Sequence, residues 1–406
     1  YSTLEVYRVY GKIWYDEEEG VFGRRGALLR LIYSTNIGTI PDEVAVKVFT
    51  VDGKWVGSIE EEFLERLSPG DVFILGGKPY EFRYAVGLRA YVAPKEGARP
   101  TVPSWFSEML PLSFDLGEAI GSFRDEMFKL VAGEGKSKVV RRLVEEYRCD
   151  RNAANSIYMY FELMDSFLRL LNVEERPNNR VILVEDYLDP GGRQNIIFHC
   201  VFGRRVNDAL SRAYAYALMR MLGINVAVTV GDTGFVLTLP HRMLRDVGAL
   251  LEAVSAGNLR RILKDAVRHT EMVRRRFRHC ATRSLMILRN YKGREVKVSR
   301  QMFNAQVLMD VVEEIDGFPV LEETYREVLE DLMDVKTAES VLREVEMGLR
   351  RFHAMRPYDL PSPFAHGLVL QGLSDVVLMD DKRALLQRLY DQVLERVQSA
   401  GCAASQ

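Results

Sequence analysis

RVILVEDYLDPGGRQNIIFH, residues 180–199, is the stretch whose reading decides the fold. Arg180 to Val184 and Asn195 to His199 are short runs rich in Val and Ile, and Pro190-Gly191-Gly192 lies between them. Such runs read as strands, and the Pro-Gly-Gly step reads as the turn that reverses the chain. A helix is expected from Asn207 to Leu222. A second hairpin follows, Ala227–Val230 and Gly234–Leu239, around Asp232. Residues 179–240 therefore read as a compact α+β unit, and the rest of the chain is organised around it.

Working outward, residues 1–95 are β-rich. Val44–Phe49, Val72–Leu75 and Leu88–Val92 are strand-like runs separated by Asp52-Gly53, Ser68-Pro69-Gly70 and Gly76-Gly77. One short helix, Ile59 to Leu67, is expected among them, and a small barrel or strongly bent sheet is the natural outcome. Residues 96–116, with Pro100, Pro103 and Pro111, form an extended connector. Residues 117–178 carry helical periodicity, with Asp150 placed to cap a helix that starts at Arg151. Residues 241–406 are mainly helical, ending in a short strand near Val376–Leu378 and a helix from Lys382 to Val397. The expected class is α+β: a barrel-like N-terminal module followed by mixed α/β and helical modules.

A chain of 406 residues exceeds one ordinary domain. Its net charge of −2 says nothing about a partner, so local charge has to be read instead. The four cysteines, Cys149, Cys200, Cys280 and Cys402, fit neither a disulfide framework nor a CxxC zinc site, which points to a reducing cytoplasm. No apolar run reaches the roughly 18 residues of a membrane helix. The chain begins at Tyr1, directly in a strand-like pattern, so preceding polypeptide is expected.

Three stretches imitate catalytic sites. Leu130 to Ser137 ends in Gly135-Lys136-Ser137 like a phosphate-binding loop. Its first required glycine is Leu130, and a helix precedes it where a strand is needed. Glu185-Asp186 resembles the acidic end of a magnesium site but has no phosphate loop to serve, and a solvated turn before Pro190 is the simpler reading. His199-Cys200 and His279-Cys280 make a tempting metal quartet, yet neighbours on a strand point to opposite faces. A hydrolase built on His199 and Asp186 is the weakest reading. No catalytic or metal-ligating set is assigned.

Charge gives a clearer signal. Residues 260–300 carry fourteen Arg or Lys against Asp265, Glu271 and Glu295. Arg274, Arg275 and Arg278 lie about one helical turn apart, and Arg283, Arg289 and Lys292 continue the series. Such a ridge suits the phosphates of nucleic acid. It would equally suit the acidic stretch Asp310 to Glu346, and charge alone leaves both open. Trp105, in Pro103-Ser104-Trp105-Phe106, reads on its own as an interface plug or as a platform for a nucleic-acid base.

Several segments together resemble the Lhr ("large helicase-related") family of superfamily 2 helicases. They are Asn36–Glu43, Val56–Ile59, Pro69–Gly77, Pro103–Met109 to Pro111, His199–Asn207, Phe277–Ala281, Leu288–Gly293 and Pro361–Gly367. The last four are similar to the family's DEAD/H-associated region. The resemblance implies a longer parent with two RecA-like ATPase lobes and a winged helix before Tyr1. It also implies 3′→5′ translocation on single-stranded nucleic acid, with ATP and magnesium held in that upstream motor and none in this chain. Trp105 maps onto a base-stacking role. The expected function is a nucleic-acid-binding accessory region of the helicase, engaging single-stranded DNA or RNA or a hybrid duplex in DNA repair or RNA handling. The alternative is a protein-interaction scaffold that docks the motor lobes or a partner.

Overall fold

A computed structural model describes residues 13–24, 29–38, 45–60, 63–64, 67, 69–86, 89–95, 111–291, 294–296, 298–372 and 379–404. The fold is α+β. β1 (Ile13–Asp16) and β2 (Val21–Arg24) form an antiparallel hairpin, followed by α1 (Leu29–Asn36). β3 (Ala45–Thr50), β4 (Trp55–Glu60), β5 (Val72–Leu75), β6 (Lys78–Val86) and β7 (Arg89–Pro94) make a five-stranded sheet in the order β4-β3-β7-β6-β5. The sheet curls into a half-barrel around Val46, Val48, Phe73, Phe82, Ala90 and Val92. The helix expected from Ile59 does not begin there: Ile59 and Glu60 close β4, paired with Val46 and Ala45. Alternation of Val46 and Val48 toward the core fixes that register.

Three helices follow. α2 (Phe114–Gly133) starts at Ser113, whose side chain accepts from Leu116 N. α3 is Lys136–Glu146, and α4 is Arg151–Leu170. Asp150 caps α4 as its sequence predicts, accepting from the amides of Asn152 and Ala153 at 2.8 and 2.9 Å. The stretch that imitates a phosphate loop thus joins two helices. Gly135 is the N-cap of α3, and Lys136 lies over the Tyr158 ring.

The second sheet is the frame of the molecule. β8 (Val181–Leu188) and β9 (Gln194–His199) pair antiparallel, with Leu183 opposite His199 and Leu188 opposite Gln194. α5 (Arg204–Leu222) leads to β10 (Ala227–Gly231) and β11 (Gly234–Leu239), and the strand order is β10-β11-β9-β8-β14. β14 (Arg351–Ala354), which the sequence reading missed, lies parallel to β8. It returns more than 150 residues later, a distance over which no local pattern announces a partner.

Both faces of this sheet are covered. Ile182, Val184, Ile196, Phe198, Phe235 and Leu237 point into one core with α5 and the helices that follow. Leu183 points the other way, into a core with α2, α3 and α4. Burial on both faces explains why β8 is apolar without alternation. It also corrects the reading of Glu185-Asp186 as a solvated turn: the strand runs on to Leu188, and both carboxylates are buried.

Glu185 is satisfied internally. His199 Nε2 lies 2.5 Å from its Oε1, and the Ser362 amide donates to its Oε2 at 3.0 Å. Burial pushes the Glu185 carboxyl up, but His199 and Ser362 outweigh it and hold the group below its usual range. Asp186 accepts from Gln194, whose amide also bridges to Leu244. His199 and the 361–366 loop, two of the stretches quoted above, thus meet at one buried carboxylate.

The remaining helices are α6 (Val247–Glu252), α7 (Leu259–Val267), α8 (Glu271–Arg283), α9 (Val298–Val312), α10 (Pro319–Arg326), α11 (Val335–Glu346), α12 (His366–Gly372) and α13 (Met379–Ala404). The ladder β12 (Asn290–Tyr291) with β13 (Arg294–Glu295) precedes α9. Between α10 and α11 the helix widens into a π-turn, Glu327–Leu332. The expected strand at 376–378 lies outside the described residues.

Gly117 shows how closely α2 approaches the sheet. A Cβ there would sit 2.0 Å from the Val201 carbonyl oxygen, backbone that cannot turn aside. Gly117→Ala is expected to destabilise the chain by about 1–3 kcal/mol through forced separation of α2 from the β9 end. Urea unfolding measures this, and an unchanged midpoint would contradict the packing described.

Candidate nucleic-acid interface

The basic span falls on α7, α8 and the segment after them. In α8, Val273, Phe277 and Ala281 form the apolar face and enter the main core, with Cys280 buried beside them. Helical geometry then forces the arginines between them onto the two flanks.

One flank is internal. Glu327, at the start of the π-turn, is 3% exposed. It accepts from Arg276 at 3.2 Å and from Arg283, whose guanidinium also reaches Cys280 Sγ. α7 does the same with the neighbouring acids. Arg260 pairs with Glu330 and Glu339, both at 3.1 Å, Lys264 with Glu322, and Arg268 with Glu313. The acidic stretch 310–346 is therefore the intramolecular partner of five cations of the basic span. A buried carboxylate is tolerated only with such partners.

The other flank faces a groove between α8 and α9, with a volume of about 100 Å³. Arg274, Arg275 and Arg278 line it from α8, and Met302, Gln306 and Met309 from α9. Arg274 is exposed and reaches the still more exposed Glu271 at 2.7 Å. Arg275 is half-buried. Arg278 is only 5% exposed, its Nη2 3.2 Å from His279 Nε2, so it forms the floor rather than the mouth. Phe303, next along α9, is 69% exposed. The sequence reading overlooked it, although an aromatic beside a run of arginines was the available signal.

The other sequence candidates lie elsewhere. Arg283 belongs to the Glu327 cluster. The Arg289 guanidinium donates to the Asn36 carbonyl at the end of α1, where the helix dipole favours a cation. Asn36 in turn donates to Asn290 O and accepts from its amide, which fixes α1 against β12. Lys292 and Trp105 lie outside the described residues.

His279 sits among these cations. Burial, then Arg278, Arg276, Arg275 and Arg283, push its imidazole down to about 3. A neutral ring leaves Nε2 free to accept from Arg278. Among the described residues, no group of three or more His, Cys, Asp or Glu side chains is arranged to hold a metal ion, His199 and His279 included.

Comparison with known proteins agrees along the chain. A family model described as DEAD/H associated matches residues 176–365, and one described as the large helicase-related protein winged helix domain matches residues 1–102. The winged-helix match lies within the chain, where the sequence reading set that domain before Tyr1. The chain is 44% identical, over 98% of its length, to the ATP-dependent helicase Lhr-Core protein 2 of Thermococcus barophilus. It is 42% identical, again over 98% of its length, to the ATP-dependent helicase Lhr-Core of Saccharolobus solfataricus. In both cases it spans 45% of the relative, about half its length. The helicase Lhr of Mycobacterium smegmatis, solved bound to ssDNA and AMP-PNP, shares the fold with a TM-score of 0.59. That match has 22% identity and covers 88% of this chain and 40% of the other.

Two outcomes follow from the division of the arginines. Glu327→Gln is expected to cost about 2 kcal/mol of stability, below the roughly 3–5 kcal/mol of a fully buried pair because Arg276 and Arg283 keep access to water. Arg274→Ala is expected to stay within about 0.5 kcal/mol. Equal losses in parallel denaturant titrations would refute the division. For His279 the native pKa lies below the ordinary value near 6.5, so the unfolded chain takes up the proton first. Its contribution to stability is full above pH 6.5 and is lost as pH falls toward 3. His279→Gln is expected to flatten the decline in melting temperature between pH 7 and 5; an identical decline would show that the imidazole protonates freely.

Proposed function

Because this chain belongs to the large helicase-related (Lhr) helicase family, we propose that it is the nucleic-acid-contacting accessory region of a longer ATP-driven helicase. The observation that carries this reading is the α8–α9 groove, where Arg274 and Arg275 stand at the mouth over the Arg278 floor, with exposed Phe303 following the groove residue Met302 on α9. Guanidiniums there meet phosphates, and the Phe303 ring offers a face to an unstacked base. Single-stranded DNA or RNA is the expected ligand. The ssDNA held by the M. smegmatis relative supports that class.

The described residues do not fit an ATP–magnesium site. The only phosphate-loop-like stretch, 130–137, is helix on both sides, and Asp186 is bonded to Gln194. We assign ATP hydrolysis to the remainder of the parent protein, whose motor lobes are the proposed partners of this chain. In that parent, Trp105 is proposed as a second stacking group. Trp105→Ala is expected to cut unwinding far more than ATP hydrolysis, with an unchanged melting temperature.

Arg260, Lys264, Arg268, Arg276 and Arg283 support the other reading, a docking scaffold, only within the chain, since their acidic partners are its own helices. No membrane contact is proposed; among the described residues no helix is long and apolar enough to cross one.

Binding of a fluorescent oligonucleotide, titrated at several salt concentrations, tests the groove. Arg274→Ala with Arg275→Ala is expected to weaken binding to every sequence and to flatten the salt slope by about 0.7 per lost contact on a single strand. Phe303→Ala is expected to cost roughly 1–3 kcal/mol of affinity with the slope unchanged. A wild-type slope in the folded double variant would sink the phosphate role.

A further inference from the structure

The helical hairpin of α3 and α4 carries a second basic groove, with a volume of about 530 Å³. Lys136, Arg141 and Glu145 line it from α3, and Arg151 and Asn155 line it from α4. Val140 and Val144 make its floor. Arg148, also exposed, stands in the turn that joins the two helices.

The other cations of this hairpin are engaged. Lys138 pairs with Glu134, and Arg142 with Glu126 and Glu146. Arg141, Arg148 and Arg151 have no carboxylate partner among the described residues. Glu145 is the one acid lining the groove, because Asp150 is occupied in capping α4. Arg141, Arg151 and Lys136 thus share the groove with a single carboxylate, and Arg148 adds a further exposed guanidinium in the adjoining turn. Such self-repulsion is relieved by an external polyanion.

Arg148 adds a separate observation. Its φ is 56°, the left-handed conformation that ends α3 and that glycine adopts most easily. The sequence places a cation at a position where backbone comfort favours glycine.

We propose that this groove is a second contact for the sugar–phosphate backbone of the single-stranded nucleic acid, separate from the α8–α9 groove. The proposal rests on the reading of the chain as a nucleic-acid-binding region. Its cations are strung from Lys136 and Arg141 on α3, past Arg148 in the turn, to Arg151 on α4, rather than lying on one turn of one helix, which suits a chain of phosphates better than one small anion. Its apolar floor is two valines, too little to anchor the apolar face of a partner helix.

The test uses the whole 406-residue chain and a fluorescein-labelled oligothymidylate, with poly-glutamate as a second probe. Arg141→Ala with Arg151→Ala is expected to weaken oligonucleotide binding about tenfold at low salt and to flatten the salt slope by about 1.4, as two single-strand phosphate contacts require. Arg148→Gly is expected to hold or raise the melting temperature while weakening binding, a combination that a purely structural arginine would not give. The α8 double variant is measured in parallel. If it loses affinity while the α3–α4 variants bind like wild type, this proposal is overturned and the first groove stands. If only the α3–α4 variants lose affinity, this groove stands and the first reading falls. Loss of poly-glutamate binding with oligonucleotide binding intact would assign the groove to an acidic protein segment and overturn the proposal.

Discussion

A carboxylate removed from water must be met by donors or cations, and Glu327 is such a carboxylate. Its position on a π-turn puts it beneath α8, where Arg276 and Arg283 reach it from the same helix. That demand orients α8 about its own axis. With Val273 and Phe277 turned to the core and two arginines turned to Glu327, the remaining face of α8 looks toward α9. The surface proposed to meet nucleic acid is thus what remains of a basic helix after core and buried acid have been satisfied. Strength of charge in the sequence does not measure strength of binding here, because five of these cations serve the fold.

The same logic organises the sheet. Glu185 holds His199 and the 361–366 loop together across the covered face of β8 and β9, and Arg350 fastens the far side. Arg350 lies between Glu118 and Glu344 and over the rings of Phe114 and Phe202. Residues that make one sequence block similar to the DEAD/H-associated region are in part these internal fasteners, not surface groups. A sequence block can therefore mark a family through its buried polar joints as readily as through its ligand-binding residues.

Local signals in the sequence were sound where local chemistry dictates structure. The β8–β9 pair, the cap at Asp150, the β10–β11 hairpin and the bent N-terminal sheet could all be read from turn residues and periodicity. What escaped depends on distant partners. β14 pairs with β8 from the far end of the chain, and Ile59 joins a strand because Val46 lies opposite it. The π-turn has no composition of its own. For the interface, residue identity located the arginine ridge, but the division of that ridge depends on which acids pack beneath it. Charge counting had left open whether 260–300 faces nucleic acid or 310–346, and the structure shows the second relation directly for five of the cations.

The central claim is that the outer flank of α8, with α9, touches the nucleic acid while the inner flank touches only protein. Photocrosslinking of a 5-iodouracil-substituted oligonucleotide to the chain, with the attachment sites mapped by mass spectrometry, tests this most directly. The account predicts adducts on the α9 peptide that carries Phe303 and on the first turns of α8, and none on α10, the π-turn or α11. Adducts confined to those acidic helices, or none on α8 and α9 from an oligonucleotide that binds, would contradict it.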